Sequence, residues 1–121
     1  MRNYRDLRVW GEAHLLTLSI YRVTQGFPND ERFGLTSQIR RASASIAANL
    51  AEGCGRRSEG EMARFVQIAM GSGTELSYHI LLAKDLGYLS EDGYAEISSH
   101  LERVLKMLSA LSGKLKSSRA A

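Results

Sequence analysis

The sequence predicts an all-α protein, an antiparallel up-down-up-down four-helix bundle. Proline occurs once and aromatic residues make up only 7% of the 121 residues, so little of the chain suits β-strands. Apolar residues also recur at the helical period in four separate segments. The segments are joined by only a few residues, so consecutive helices must turn back on one another.

The four helices are predicted at about residues 6–25, 36–53, 58–86 and 90–116 of a single domain that spans residues 1–121. The third helix has the clearest start, because Ser58 is a suitable N-cap and Glu61 follows at the position that completes a capping box. Gly87 predicts the end of this helix, and Ser90 predicts the cap of the next one.

Helical stripes of apolar residues indicate which faces are buried. The first helix carries the stripe Leu7, Trp10, His14, Leu18 and Tyr21, on which His14 is interpreted as a hydrogen-bonded core or interface histidine. The second helix carries Leu35, Ile39, Ala42, Ile46 and Leu50, and the third carries Met62, Phe65, Ala69, Leu76, Ile80 and Ala83. The fourth carries an unbroken heptad seam of Tyr94, Ile97, Leu101, Val104, Leu108, Leu111 and Leu115.

Further apolar residues lie beside these stripes, among them Leu15, Leu16, Ile20 and Leu105. The third helix also contains the small residues Gly71-Ser72-Gly73-Thr74, which permit close backbone approach within one bundle or between subunits. These features favour a homo-oligomer, with a widened core stripe as the alternative.

Composition narrows the class of protein further. The single cysteine, Cys54, excludes an intramolecular disulfide and a cysteine-rich metal site. No apolar run approaches the roughly 18 residues of a membrane span, and the N-terminus is too charged for a signal peptide. We therefore expect a cytoplasmic protein without membrane association. Its formal net charge of +3 is compatible with nucleic-acid binding without being diagnostic of it.

Catalytic chemistry has little support in the sequence. Ferritin-like di-metal bundles need Glu-x-x-His motifs, whereas Glu75/His79 and Glu96/His100 are spaced by four residues. No phosphate-binding loop, nucleophile elbow or zinc-type Cys/His spacing is present. We expect no catalytic residue, metal or cofactor, and a metal-dependent bundle enzyme remains only the third hypothesis.

Basic residues are the more informative feature. Arg40-Arg41 lie within the second helix, Arg56-Arg57 directly precede the third, and Arg64 lies two turns further on. A helix N-terminus attracts anions, so arginines beside it predict phosphate contacts. The alternative is that Glu52, Glu59 and Glu61, which are close in sequence, neutralise these arginines on a solvated surface.

Several segments together carry a resemblance: Phe27-Pro28 with Glu31, Gly34 to Ala42, Ser45-Ile46 with Asn49 to Gly53, and Gly71-Ser72 with Glu75-Leu76. In this pattern the chain resembles the bacterial four-helix-bundle family encoded in intervening sequences of 23S ribosomal RNA genes. The resemblance runs from about Leu7 to Leu115.

This resemblance implies a homopentamer of bundles around a central channel. It also implies a relation to the accessory proteins of diversity-generating retroelements, which bind nucleic acid with a basic pentamer surface. The family's motif positions in this chain are Gln38, Arg40, Arg41, Asn49, Glu52, Gly53, Arg56, Ser72 and Glu75, none of them catalytic.

The motif positions and nearby arginines divide by chemistry into two groups. One is expected to form a hydrogen-bonded network between the second and third helices or between subunits: Gln38, Arg41, Asn49, Glu52 and Glu75. The other is predicted to contact phosphates of RNA or DNA: Arg40, Arg56, Arg57 and Arg64. The competing hypothesis is a structural or adaptor oligomer that binds a protein partner and uses its arginines in internal salt bridges.

Overall fold

A computed structural model describes residues 2–120 of the chain, with side chains as far as residue 117. Within these residues the secondary structure is entirely helical, which confirms the predicted all-α four-helix bundle. Short 3₁₀ turns at Tyr4–Asp6 and Asn29–Glu31 precede the first two helices. The helices are α1 (Arg8–Thr24), α2 (Leu35–Cys54), α3 (Glu59–Asp85) and α4 (Glu91–Ala120).

The observed bounds differ from the predicted ones mainly at two places. α1 begins at Arg8 rather than at about residue 6, because Leu7 has an extended backbone between the 3₁₀ turn and the helix. α4 continues to Ala120 rather than ending near residue 116. The predicted domain also includes residues 1 and 121, which lie outside the described part of the chain.

Each helix packs against two neighbours. α2 contacts α1 and α3, and α4 contacts the same two helices from the other side. Over the described residues no Cα atom of α1 lies within 8 Å of one of α3, so these helices occupy diagonal corners of the bundle. The outward faces of α1 and α3 therefore point to opposite sides of the molecule.

The core contains the stripes predicted for α2, α3 and α4. All five apolar positions of the α2 stripe are buried, and the α4 seam is buried or half-buried along its whole length. On α3 the structure buries the predicted positions except Phe65, which is half-buried beside the α2–α3 loop. These three predictions are confirmed.

The predicted core stripe of α1 is wrong at His14, Leu18 and Tyr21, whereas Leu7 and Trp10 are half-buried against the core. The structure buries a different set of residues on this helix: Val9, Ala13, Leu16, Ile20 and Thr24. His14 is exposed, and its ring stacks on that of Trp10 with 5.2 Å between the centroids. Leu18 and Tyr21 retain 41% and 43% of their surface. Both stripes obey the helical period, so the period alone does not identify the inward one.

α2 and α3 approach each other closely at their connected ends. A methyl group built at Gly53 would lie 3.0 Å from Cβ of Phe65 and 3.4 Å from the carbonyl oxygen of Met62. Further along, the hydroxyls of Ser45 and Ser72 are hydrogen-bonded at 2.8 Å across the same interface. Small residues therefore allow these two backbones to come together.

A carboxylate caps α2 in place of an N-cap side chain. Glu31 accepts a hydrogen bond from the backbone N–H of Leu35 at 3.1 Å and another from the Tyr88 hydroxyl at 3.0 Å. The hydrogen bond to Glu31 raises the pKa of Tyr88. A Cβ at Gly34 would lie 2.7 Å from the same carboxylate, which explains the combination of Glu31 with Gly34 in the sequence.

The α3–α4 connection is a tight turn around Gly87. This residue has a φ of 83°, a conformation that glycine adopts without strain. The N–H of Tyr88 bonds to the carbonyl of Ala83 at 2.9 Å and that of Gly87 to Lys84 at 2.9 Å, the Schellman pattern. The Ser90 hydroxyl accepts from the N–H of Gly93, which confirms the predicted cap.

Among residues 2–120, no helix combines the length and the apolar character needed to cross a membrane.

Two glycine substitutions test the close α2–α3 contact. Gly53→Ala is expected to destabilise the protein by about 1–3 kcal/mol, because its methyl group meets atoms fixed to the α3 backbone. Gly71→Ala is the matched control, since no atom lies within 4 Å of its added methyl group. It should stabilise by about 0.5–1 kcal/mol through helix propensity. Urea unfolding measures both changes, and midpoint shifts of the same sign would contradict the interpretation.

Candidate nucleic-acid interface

The α2–α3 loop presents two of the predicted arginines at one end of the bundle. α2 ends at Cys54, Gly55 follows as its C-cap, and Arg56 and Arg57 are both exposed. The hydroxyl of Ser58 then accepts a hydrogen bond from the N–H of Glu61 at 3.1 Å. This bond is the predicted N-cap of α3. The reciprocal bond from Glu61 is absent from the described contacts.

Phe65 brings Arg56 and Arg64 to the same place. The guanidinium carbon of Arg56 lies 4.9 Å from the centroid of the Phe65 ring, and that of Arg64 lies 5.7 Å from it. Such cation–π contacts hold the planar guanidinium groups against an apolar surface. The structure thus brings Arg56 of the loop and Arg64 of α3 together, and Arg57 is adjacent to Arg56 in the chain.

The three arginines of this cluster differ in their electrostatic partners. Arg56 donates to Glu52 at 2.8 Å, one turn back along α2. Both side chains are largely exposed, so this ion pair contributes little to stability. Over the described residues Arg57 and Arg64 form no salt bridge. Their guanidinium groups are therefore available to an external anion.

The N-terminal segment adds a cation that the sequence reasoning missed. The backbone N–H of Arg2 bonds to the carbonyl of Cys54 at 2.8 Å, and its guanidinium bonds to Glu59 at 2.9 Å. Arg2 and Lys114 line a cavity of about 240 Å³ between the N-terminal segment, α3 and α4. Nothing local in the sequence indicated that Arg2 docks beside the loop.

Arg40 lies elsewhere. It is separated from Arg56 by 16 residues along α2 and its following loop, a distance of roughly 24 Å at the helical rise. Its Nε donates to the Thr24 hydroxyl at 2.8 Å and its Nη2 to the Tyr21 carbonyl at 3.3 Å. The structure does not bring Arg40 together with the other three arginines.

Part of the predicted polar network joins α2 to α3. Arg41 donates to Glu75 at 2.6 Å and to Gln38 at 2.8 Å. His79 lies 3.1 Å from the same Glu75 carboxylate, and its Nδ1 is buried without a hydrogen-bond partner among the described residues. The hydrogen bond to His79, with the Arg41 guanidinium beside it, lowers the pKa of Glu75.

The remaining network residues form separate contacts. Asn49 donates to the carbonyl and to the hydroxyl of Ser45, at 2.8 and 2.9 Å, and Ser45 meets Ser72 of α3. Glu52 instead pairs with Arg56. The five residues are therefore divided among three clusters, of which two connect α2 with α3.

The histidine and carboxylate pairs weighed as metal ligands do not converge. His100 bonds to Glu12 of α1 at 3.1 Å, whereas Glu96 is exposed. Glu75 and His79 are engaged with Arg41. In the part of the chain that the structure describes, no three His, Cys, Asp or Glu side chains come together as metal ligands.

Burial raises the pKa of the Cys54 thiol.

Comparison with solved structures gives a similar bundle. A crystal structure from Bacteroides thetaiotaomicron, described as a protein of unknown function from the S23 ribosomal protein family, superposes with a TM-score of 0.81. The two sequences are 22% identical, and the match covers 87% of this chain and 95% of the other. At this identity the similarity shows the fold alone.

The family comparison covers most of the chain, while no curated protein matches it. The family of 23S rRNA-intervening sequence proteins matches residues 5–110. This range contains α1, α2, α3, the loop arginines and most of α4. The chain belongs to the 23S rRNA-intervening sequence protein family.

Proposed function

We propose that this protein is a non-enzymatic, homo-oligomeric bundle that binds RNA or DNA through phosphate contacts, without base specificity. The observation that carries the proposal is the separation of charge along the bundle axis. The cross-helix contacts Thr17–Ser43, Ser45–Ser72 and Gly73–Leu105 define its mid-height. Residues 2–15, 45–72 and 106–117 lie on one side of that level, and we call this the basic half.

The basic half holds all of the net positive charge of the described residues. It contains nine arginines and lysines, namely Arg2, Arg5, Arg8, Arg56, Arg57, Arg64, Lys106, Lys114 and Lys116. Five carboxylates oppose them, namely Asp6, Glu12, Glu52, Glu59 and Glu61. The other half contains six basic and eight acidic residues. A surface polarised in this way attracts a polyanion to one end.

The form of the surface favours contacts with the nucleic-acid backbone over recognition of the bases. Arg57 and Arg64 are exposed on a loop and on the outside of α3, and no groove-sized helix or ribbon projects from them. Guanidinium groups spread over one end of the bundle suit phosphates. Arg40 lies in the other half, so the proposed surface does not include it.

Self-association is part of the proposal. On α1 the outward residues Leu15, Leu18 and Tyr21 keep 41–52% of their surface, and on α3 Ile68, Tyr78 and Leu81 are also exposed. These faces lie on diagonal helices, so a contact between them joins copies head to tail, the type of interface from which closed rings are built. A pentamer is the ring that the family resemblance implies, and five chains would carry a net charge of +15.

The second candidate function is an adaptor that binds a protein partner. Ion pairs within the chain favour it, because Arg2, Arg41 and Arg56 each meet a carboxylate within 2.9 Å. In this case the arginines serve the bundle itself, and the apolar α1 face receives the partner. The two candidates differ in whether nucleic acid binds at all.

The double substitution Arg57→Ala with Arg64→Ala tests the phosphate surface. It should weaken binding equally for RNA and DNA of different sequences, because phosphates carry no base identity. The slope of log affinity against log salt should fall by about 1.8 if both residues contact phosphates of a duplex. Fluorescence anisotropy of labelled duplexes at several salt concentrations measures both quantities.

The matched control is Arg22→Ala with Arg103→Ala, which removes the same charge from exposed positions in the other half. It should leave the salt slope unchanged. An equal loss of binding affinity in the two double variants would show that only net charge matters. It would contradict the assignment of Arg57 and Arg64 as phosphate contacts. Absence of binding by the unmodified protein at about 50 mM salt would favour the adaptor.

Leu18→Glu tests self-association through the α1 face. The unmodified protein should sediment as a multimer of the 13.4 kDa chain, and the variant should sediment as a single chain, because a buried unpaired carboxylate is costly at an interface. Ala95→Glu, on the exposed surface of α4, is the control and should preserve the multimer. A monomeric unmodified protein at tens of micromolar would contradict the proposal.

A further inference from the structure

A second cationic site lies in the other half of the molecule, between α1 and the start of α2. It is a cavity of about 460 Å³, within the size range of small-ligand sites. Three arginines line it together with two aromatic residues and a serine: Arg32, Arg40, Arg41, Tyr21, Phe33 and Ser37. We call it the Phe33 cavity.

Phe33 is the most exposed large apolar side chain in the described structure, with 86% of its surface accessible. It lies just before Gly34, the residue that precedes α2, and packs into no core. The guanidinium carbon of Arg32 lies 5.0 Å from its ring centroid. The high exposure leaves ring surface available for stacking by another planar group.

Arg40 is held in a fixed position at this cavity. Its guanidinium lies 4.7 Å from the centroid of the Tyr21 ring and donates to Thr24 and to the Tyr21 carbonyl. Those bonds use Nε and part of Nη2, so the remaining N–H groups of the guanidinium are free to bind an anion. A guanidinium that is already immobilised loses less entropy when it binds a phosphate.

The start of α2 supplies further donors. The backbone N–H groups of Thr36 and Ser37 make no hydrogen bond within the described residues, and the Ser37 side chain is exposed. Such groups at a helix N-terminus favour an anion. The nearby Glu31 carboxylate is already occupied by Leu35 and Tyr88.

From the exposed ring beside a fixed guanidinium, we infer that the Phe33 cavity binds a nucleotide. The base stacks on Phe33, and the phosphate is bound by Arg40 together with the N–H groups of Thr36 and Ser37. A free mononucleotide and one nucleotide of a single strand share this chemistry. A second copy of the chain fits less well, because its apolar surface would desolvate three guanidinium groups.

This inference does not depend on the phosphate surface of the basic half. The two sites lie on opposite sides of mid-height, and they use different chemistry, since stacking requires an unpaired base. Loss of one site should therefore leave binding at the other intact.

Calorimetric titration with AMP, adenosine and ribose 5-phosphate tests the site. AMP should bind at least tenfold more tightly than either fragment, because only AMP has both the base and the phosphate. Phe33→Ala should weaken AMP binding by about 5- to 150-fold, the loss that corresponds to removing one stacking contact. Phe33→Leu keeps an apolar side chain without the π face and should also weaken binding.

A labelled single-stranded oligoadenylate distinguishes the two sources of the nucleotide. Binding of AMP that depends on Phe33 supports a free nucleotide, and Phe33-dependent binding of the oligomer alone supports a nucleotide within a strand. Arg22→Ala with Arg103→Ala, at exposed positions that do not line the cavity, is the control and should leave AMP affinity unchanged. AMP binding reports on the Phe33 cavity and the salt slope of duplex binding reports on the basic half, so either proposal can fail without the other.

Three results would overturn the inference. The first is no Phe33-dependent binding of AMP or of the oligomer at millimolar concentration. The second is an AMP affinity equal to that of ribose 5-phosphate, which would reduce the cavity to a phosphate site. The third is a changed sedimentation coefficient in Phe33→Ala with unchanged nucleotide affinity, which would identify Phe33 as a contact between copies.

Discussion

The close packing of α2 against α3 is the constraint on which the candidate interface depends. Gly53 permits contact with the Phe65 backbone region, and Ser45 with Ser72 continues the contact toward mid-height. The two helices are joined by a short reversal, residues 55–58. Two of those four residues are arginines, and both are exposed. The same proximity places Phe65 beneath Arg56, so the packing of the core determines where the positive charge is held.

The sequence allowed the fold to be predicted wherever one stripe of a helix was clearly more apolar than the rest. This holds for α2, α3 and α4, whose predicted apolar positions are buried apart from the half-buried Phe65 and a few at the ends of α4. On α1 two stripes compete, and the predicted one contains large side chains, of which Leu18 and Tyr21 face outward. Burial there is decided by the neighbours of α1 in the bundle, which local periodicity does not reveal.

Part of the candidate site could also be predicted from the sequence. Arg56 and Arg57 could be placed beside a helix start because the Ser58 cap is a local signal. The separation of Arg40 from them follows from helix length, whereas its contacts with Thr24 and Tyr21 depend on how α1 crosses α2. The docking of Arg2 and the exposure of Phe33 are tertiary features without a local pattern. The predicted polar network divided because helical spacing aligns residues along one face without making their side chains touch.

The even number of antiparallel helices determines where the two ends of the described chain lie. The described chain starts beside the α2–α3 loop and ends with the last turns of α4, so both ends emerge at the same pole of the bundle. A peptide fused to either end would emerge at the pole that carries the loop arginines, away from the pole formed by Asn29–Glu31 and Gly87. Attachment of such a molecule to a surface through its termini would orient it with the latter pole facing outward.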